Sequence, residues 1–218
     1  VQMIKLALQR RMQRVKLITV SGSEFTGVIN GGNGADTILA SGNLFNASIN
    51  GGNGGDDITV SKTASQGMID GGDGDDIILV SGSNSLIDIV GGDDDDTITI
   101  SNVGYLGTIN GDAGVDTLSY NGDLDLSIVA GTTIQNIEII DLGSSGDIIT
   151  LTAIDLKAIS NSTDTLRVMG TRGSVLANGE AGWSRTLNII DEGVLYEVYS
   201  HVDGAVLQLQ ENLYEDFE

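Results

Sequence analysis

The chain has 218 residues, of which 31 are Asp or Glu and 10 are Lys or Arg, so its formal net charge is −21. A hydrophobic fraction of 40% argues against disorder, and the acidic surplus argues against nucleic acid, because phosphate binding needs clustered Lys and Arg. The lack of Cys excludes a disulfide framework, a thiolate zinc site and a Cys nucleophile, and no apolar stretch reaches the roughly 18 residues of a transmembrane helix.

Residues 1–20 precede a twenty-residue repeat and are basic. They hold five of the ten Lys and Arg residues, at Lys5, Arg10, Arg11, Arg14 and Lys16. A basic arm of this kind is typical of proteins that bind a membrane surface or nucleic acid. The segment MIKLALQRRMQRV also has the apolar spacing of a short amphipathic helix. It does not fit a signal peptide, because its apolar stretch is short and Lys5 interrupts it.

A second interpretation of residues 1–20 comes from the repeat. At a shift of twenty residues, Lys16 aligns with a column of aspartates, and Ile18 and Val20 align with Ile38 and Ala40. Residues 1–20 would then form a capping rung whose basic turn covers the end of the aspartate column. The capping rung and the short helix both remain open at this level.

Residues 21–120 contain five copies of the twenty-residue repeat. Ser, Ile, Gly and Asp each recur at an invariant position, and the aspartates are Asp36, Asp56, Asp76, Asp96 and Asp116. Each copy has a glycine-rich turn, a strand with alternating apolar residues and a looser stretch that returns the chain, which predicts two strands per rung. We therefore predict an all-β fold, a right-handed parallel β-roll or β-helix solenoid with 20-residue rungs. The complete lack of Pro fits, because neighbouring rungs need every backbone N–H.

The stacked turns create a charge problem. One aspartate per rung gives a column with a spacing of about 4.8 Å, at which two like charges repel by roughly 1 kcal/mol in water and by more at lower dielectric. Lys62 is the only basic residue among 16 acidic residues between Asn30 and Asp125, so a bound cation must neutralise the column. Carboxylates, Asn amides and glycine carbonyls are hard oxygen donors, which favour calcium. Solvated acidic loops are the alternative, but they have no reason to keep a twenty-residue phase.

The turns GGNGADTIL, GGNGGDDIT, GGDGDDIIL, GGDDDDTIT and GDAGVDTLS resemble the GGxGxDxUx nonapeptide, with U aliphatic, of the repeats-in-toxin (RTX, hemolysin-type) family. The resemblance implies a parallel β-roll with calcium between consecutive turns, bound by loop carbonyls and the sixth-position Asp. The chain departs from the family, whose rungs run at about eighteen residues with calcium turns on both edges. Here an eleven-residue linker without that Asp forms half of each rung. The fourth turn has Asp94 in place of Gly, and the fifth has Asp112 and Val115.

The resemblance therefore implies one calcium column, with about four Ca²⁺ ions between five turns. The expected metal ligands are Gly31, Asn33, Gly34, Asp36, Gly51, Asn53, Gly54, Asp56, Gly71, Asp73, Gly74, Asp76, Gly91, Asp93, Asp96, Gly111 and Asp116.

Residues 121–218 follow the last glycine-rich turn. IQNIEIIDLGSSGDIITLTAIDL predicts short apolar strands with one degenerate turn at Gly143 to Asp147, so we expect the solenoid to continue without calcium. ISNSTDTLRVMG, GWSRTLNIID and VLYEVYSHVDGAVLQLQ alternate like antiparallel strands, with a hairpin turn at Val202-Asp203-Gly204. A β-rich C-terminal cap would hide the last hydrophobic face of the array.

This tail also loosely resembles the C-terminal region of large type I-secreted bacterial adhesins. The likeness rests on IQNIEIIDL, DTLRV, Gly182-Trp183, YEVY and AVLQLQ. In those proteins the extreme C-terminus carries an uncleaved secretion signal. The resemblance implies a secreted, extracellular or cell-surface protein that uses the type I secretion machinery as a partner.

The sequence offers no catalytic constellation. His201 is the only histidine, and its place beside Asp203 at a hairpin turn predicts a solvated turn residue. Trp183, Tyr196 and Tyr199 are expected to pack in the cap rather than to line a sugar site. Neither an HExxH motif nor a phosphate loop is present. We therefore expect a protein that is not an enzyme.

These patterns predict a C-terminal module of a type I-secreted adhesin that folds with calcium and serves export and extracellular folding. One alternative is a self-assembling, calcium-dependent surface-layer or matrix-filament protein, whose partners would be further copies or a cell-surface polysaccharide. Another is the non-catalytic RTX tail of a secreted hydrolase or carbohydrate-modifying enzyme.

Overall fold

A computed structural model describes residues 15–22, 24–42, 45–61, 65–82, 85–101, 105, 107–129, 133–160, 163–177 and 180–216. The fold is a parallel β-solenoid of about five turns with a spacing of about 20 residues, which confirms the predicted fold class. The chain divides into two compact units, Val1–Asp116 and Thr117–Glu218. No helix in the described ranges is long and apolar enough to cross a membrane.

The first unit contains two parallel sheets. One sheet comprises β1 (Leu17–Gly22), β3 (Thr37–Gly42), β5 (Asp57–Val60), β7 (Ile77–Val80) and β9 (Thr97–Ile100), in that order. The other comprises β2 (Phe25–Asn33), β4 (Phe45–Asn53), β6 (Gln66–Asp73), β8 (Leu86–Asp93) and β10 (Ile109–Ala113), also in order. Each rung contributes one strand to each sheet, so the prediction of two strands per rung is confirmed.

The register of both sheets is offset by the length of the repeat. Ile58 pairs with Ile38 and Ile78, and Ile69 pairs with Ile49 and Ile89. Because parallel stacking places each residue on its own equivalent, the inward-facing isoleucines form continuous ladders, and Ile58, Ile69 and Ile78 are fully buried. These ladders form the core that holds the turns in line.

Strand β1 adds a rung before the first glycine-rich turn. It pairs with β3 so that Ile18 lies beside Ile38 and Val20 beside Ala40, the positions given by the shift of twenty residues. Residues 1–14, which contain most of the proposed amphipathic helix, lie outside the described residues. The described part of the N-terminal segment therefore has the pairing of a rung.

The described residues of the second unit form short strands and two short helices. Its strands are β11 (Thr117–Tyr120), β12 (Leu124–Asp125), β13 (Ile134–Gln135), β14 (Ile139–Asp141), β15 (Ile148–Thr150), β16 (Thr165–Met169), β17 (Ser174–Leu176), β18 (Trp183–Asp191), β19 (Val194–His201), β20 (Val206–Gln210) and β21 (Tyr214–Asp216). The helices are α1 (Leu126–Val129) and α2 (Ala153–Ile159). Within this unit the strand orders are β11-β14-β16-β20-β19-β18 and β12-β15-β17-β21.

The cap differs from the expected antiparallel arrangement in one strand. Strands β18, β19 and β20 form an antiparallel meander, and the hairpin at Val202-Asp203-Gly204 is present. The alternation of the DTLRV segment predicts an antiparallel strand, but β16 is parallel to both β14 and β20, so this prediction is wrong. A second hairpin turn lies at Glu192-Gly193, where both residues have positive φ, as a tight two-residue turn requires.

The end of the predicted strand segment, TAIDL, enters helix α2 (Ala153–Ile159) rather than an apolar strand. Thr152 caps the helix by accepting a hydrogen bond from the Asp155 N–H, and the Asp155 carboxylate accepts one from the Thr152 N–H. This capping box satisfies two backbone donors at the start of the helix. Ala153, Leu156 and Ile159 are buried at helical spacing. In a short apolar run, periodicity does not distinguish a helix from a strand.

Candidate metal centre

The glycine-rich turns connect the two sheets at one edge of the first unit. Gly32 and Gly34 have φ values of +100° and +103°, which L-residues with a Cβ rarely adopt. Stacking adds a second requirement at Gly52, because a Cβ there would collide with the Gly32 carbonyl of the preceding rung. The repeated glycines are therefore required both by the sharp turn and by the close approach of successive rungs.

The sixth residue of each turn forms a buried column. The five aspartates are between 0% and 2% exposed: Asp36, Asp56, Asp76, Asp96 and Asp116. Each carboxylate accepts, on Oδ1, a hydrogen bond from the backbone N–H of the equivalent residue one rung earlier. The distance is 2.6 Å from Asp36 to Asp56 and from Asp56 to Asp76, and 2.8 Å from Asp76 to Asp96. This bond fixes the orientation of each carboxylate between two rungs.

The other oxygen of these carboxylates is not satisfied in the same way. Oδ2 of Asp56, Asp76 and Asp96 is buried and has no hydrogen-bond partner. Burial is the largest cause that raises the pKa of Asp56, and it raises the pKa of Asp76 and of Asp96 to about 7. The hydrogen bond from the preceding backbone N–H opposes this increase, while neighbouring aspartates add to it. A buried carboxylate without a partner is costly, so each of these groups requires either a proton or a cation.

Carbonyl oxygens lie next to the unpartnered carboxylate oxygens. A Cβ built on Gly71 would meet both Asp76 Oδ2 and the Gly91 carbonyl oxygen, and a Cβ on Gly91 would meet Asp96 Oδ2 and the Gly111 carbonyl. The absence of side chains at these glycines thus allows carboxylate and carbonyl oxygens of adjacent rungs to converge. Hard oxygen donors of this kind fit calcium.

The structure separates the predicted ligands into two groups. The first glycines and the aspartates lie together in the buried column: Gly31, Gly51, Gly71, Gly91 and Gly111 with Asp36, Asp56, Asp76, Asp96 and Asp116. The third residue of each of the first four turns has an exposed side chain: Asn33, Asn53, Asp73 and Asp93.

The third and fourth residues of a turn form backbone hydrogen bonds between rungs. Gly34 N–H donates to the Asn53 carbonyl at 2.7 Å, Gly54 N–H to the Asp73 carbonyl at 2.6 Å, and Gly74 N–H to the Asp93 carbonyl at 3.0 Å. These carbonyls therefore already have a donor, unlike Oδ2 of the buried column. The spacing of residues within one turn does not show which oxygens have a hydrogen-bond donor, because the donor belongs to the adjacent rung.

Lys16 is a member of the column that the predicted ligand set did not include. Its backbone N–H donates to Asp36 Oδ1 at 2.6 Å, its ammonium group donates to the Gly31 carbonyl, and Nζ lies 3.5 Å from Asp36 Oδ2. The signal that locates it in the sequence is the shift of twenty residues, which aligns Lys16 with the aspartates.

His201 in the second unit is buried, so the expectation of a solvated turn residue is wrong. It is 8% exposed, its Nε2 lies 3.1 Å from the Ala181 carbonyl, and its Nδ1 accepts the Asp203 N–H at 3.2 Å. The Trp183 ring lies 5.1 Å from the imidazole. These contacts join the hairpin to the preceding loop.

Clusters of three or more His, Cys, Asp or Glu side chains suited to a metal ion do not occur among the described residues. A site made of main-chain carbonyls and one or two carboxylates is not such a cluster. In comparisons with known proteins, no family model, no curated protein and no solved structure matches this chain.

Proposed function

We propose that the first unit is a calcium-binding module that folds as the ions bind, as the RTX resemblance implies. The observation that carries the proposal is the column of buried carboxylates, in which Oδ2 of Asp56, Asp76 and Asp96 has no hydrogen-bond partner. Calcium would supply the missing positive charge and a partner for these oxygens. The residues that would hold it are the column aspartates and the carbonyls of the first glycine of each turn.

The shared carboxylates support cooperative binding. Asp76 accepts the N–H of Asp56 in the preceding rung, and its Oδ2 lies beside the Gly91 carbonyl of the following rung. Binding of an ion at one turn would therefore alter the position of the oxygen ligands at the neighbouring turns. Because ligands from separate rungs meet only after stacking, binding free energy would also be folding free energy.

This coupling suits a secreted protein. Cytosolic calcium lies well below the affinities of about 10⁻⁴ to 10⁻³ M that are typical of extracellular modules, so the chain would remain unfolded inside the cell. An unfolded chain can pass through a narrow exporter, and millimolar calcium outside would then fold it. We propose that the chain serves export and extracellular folding in this way, as the C-terminal module of a type I-secreted surface adhesin.

The test is a calcium titration followed by far-ultraviolet circular dichroism on the full chain. In excess chelator we expect little β-structure, and addition of calcium is expected to produce the β signal in a steep transition. Magnesium at the same concentration is the matched control, because it demands tight octahedral geometry and loses its water reluctantly. Full β-structure in chelator, or an equal response to magnesium, would contradict the proposal.

A further inference from the structure

Lys16 continues the aspartate column at the level of the backbone. Its N–H donates to Asp36 Oδ1 at 2.6 Å, and the Asp36 N–H makes the same bond to Asp56 Oδ1, also at 2.6 Å. The backbone at Lys16 thus makes the same bond as the backbone of the later rungs. Only the side chain differs, because an ammonium group stands where the other rungs carry a carboxylate.

The Lys16 side chain is 44% exposed, and its ammonium end lies against the first glycine-rich turn. Its ammonium group donates to the Gly31 carbonyl and lies 3.5 Å from Asp36 Oδ2, while the Asp36 side chain is fully buried. One rung later, the equivalent oxygens are the Gly51 carbonyl and Asp56 Oδ2. Asp56 Oδ2 has no hydrogen-bond partner. The first turn therefore already has a positive charge at a position where the next turn has none.

We infer that the Lys16 ammonium is a built-in cation that fills the first cation site of the column. Calcium would then enter only at the later turns, and the first rung would join the solenoid without an ion. This inference rests on the proposed calcium binding. It adds that the chain itself supplies the positive charge between Lys16 and Asp36, so that an ion is not required there.

An ordinary surface ion pair does not describe this contact. Lys157 and Asp164 form such a pair in the second unit, at 3.8 Å, with 37% and 48% of their side chains exposed. The Lys16 side chain is 44% exposed, but Asp36 is fully buried, and the Lys16 ammonium bonds a main-chain carbonyl as well as facing the carboxylate. A carbonyl and a carboxylate around one positive charge are the donor types expected for a bound metal ion.

The experiment counts calcium ions bound per full-length chain, by equilibrium dialysis with metal analysis at saturating calcium. Lys16→Asp restores the column aspartate and removes the ammonium group, so we expect one more ion than in the wild type. Lys157→Asp is the control, because it changes the charge equally in the second unit, and its count is expected to equal that of the wild type. Lys16→Ala removes the ammonium group without adding charge and is measured in parallel in case Lys16→Asp does not fold.

The outcomes separate this inference from the proposed function. A wild-type chain that binds no calcium overturns the proposed function and with it the inference. A wild-type chain that binds five ions, one for each column aspartate, overturns the inference alone, because Lys16 would not be filling a site. Equal counts for the wild type and both Lys16 variants also overturn it while calcium binding stands.

Discussion

Asp76→Asn changes the charge in the middle of the column and keeps the shape of the side chain. Asp76 is 1% exposed, and its Oδ1 accepts the Asp56 N–H at 2.6 Å, a bond that the amide oxygen of Asn retains. Oδ2, which has no partner, becomes an NH₂ group beside the Gly91 carbonyl. The substitution therefore removes one buried charge and one unsatisfied acceptor, and it adds a donor next to an acceptor.

The magnitude follows from the pKa of Asp76. Burial, with a contribution from Asp56 and other neighbours, raises this pKa from 3.8 to about 7. A carboxyl whose pKa is raised in the folded state costs nothing below its unfolded pKa, and its cost increases as the pH rises and is complete above the folded pKa. A difference of about 3 between the two pKa values corresponds to a free energy on the order of 4 kcal/mol at pH 8.

The sign of the effect is expected to reverse with calcium. In chelator at pH 8, Asp76→Asn should stabilise the solenoid by up to about 4 kcal/mol, and at pH 4 the difference should nearly disappear because Asp76 is then protonated. In calcium, the same variant should be less stable than the wild type, because it has lost a carboxylate ligand. A neutral amide thus helps the calcium-free chain and weakens the calcium-bound one.

The assay is urea unfolding followed by circular dichroism in calcium. In chelator the same circular dichroism signal is measured while an osmolyte refolds the chain. Osmolytes favour burial, so this titration gives a midpoint even for an unstable chain. Asp57→Asn is the control, since Asp57 is exposed at the start of β5 and the charge change is the same. The reasoning is refuted if Asp76→Asn does not stabilise the calcium-free chain at pH 8, or if Asp57→Asn stabilises it equally.

Three further substitutions test the packing, the turns and the cap. Ile78→Ala removes a fully buried side chain from the ladder, and in urea titrations we expect it to destabilise the first unit by about 2–5 kcal/mol, against almost no loss for exposed Ile77→Ala. Asp94 has a φ of +79° where the earlier turns have glycine, so Asp94→Gly should raise the free energy of unfolding by roughly 0.5–1 kcal/mol, after allowing for the flexibility of Gly in the unfolded chain. A lower free energy of unfolding in urea titrations would contradict the assigned strain. Thr152→Ala removes the α2 cap and should cost about 1 kcal/mol in the second unit, measured by thermal unfolding, whereas Thr152→Ser should cost less.

The repeat made most of the first unit predictable from the sequence. Each rung of a parallel solenoid contacts its own equivalents, so a period of twenty residues determines the strand register, the isoleucine ladders and the aspartate column together. Ile58 beside Ile78 and Asp56 beside Asp76 are therefore consequences of spacing alone. The same spacing aligns Lys16 with the aspartates.

The tertiary structure decided which atoms of the turns are satisfied. The carbonyls of Asn53, Asp73 and Asp93 pair with N–H groups of the preceding rung, while Oδ2 of Asp56, Asp76 and Asp96 does not find a partner. Both groups are oxygen donors in the same turns, and composition does not distinguish them. Their difference depends on the geometry of one rung against the next.

Outside the repeat, the sequence determined less. The alternating segments of the cap predicted the meander of β18, β19 and β20, but not the parallel pairing of β16, because a strand pattern does not specify its neighbours. Helix α2 and the burial of His201 likewise depend on contacts between segments distant in sequence. Sequence alone thus determined the periodic column and its demand for positive charge, whereas the folded chain decided which oxygens remain for a cation and placed the Lys16 ammonium at the first of them, because both depend on distances between rungs.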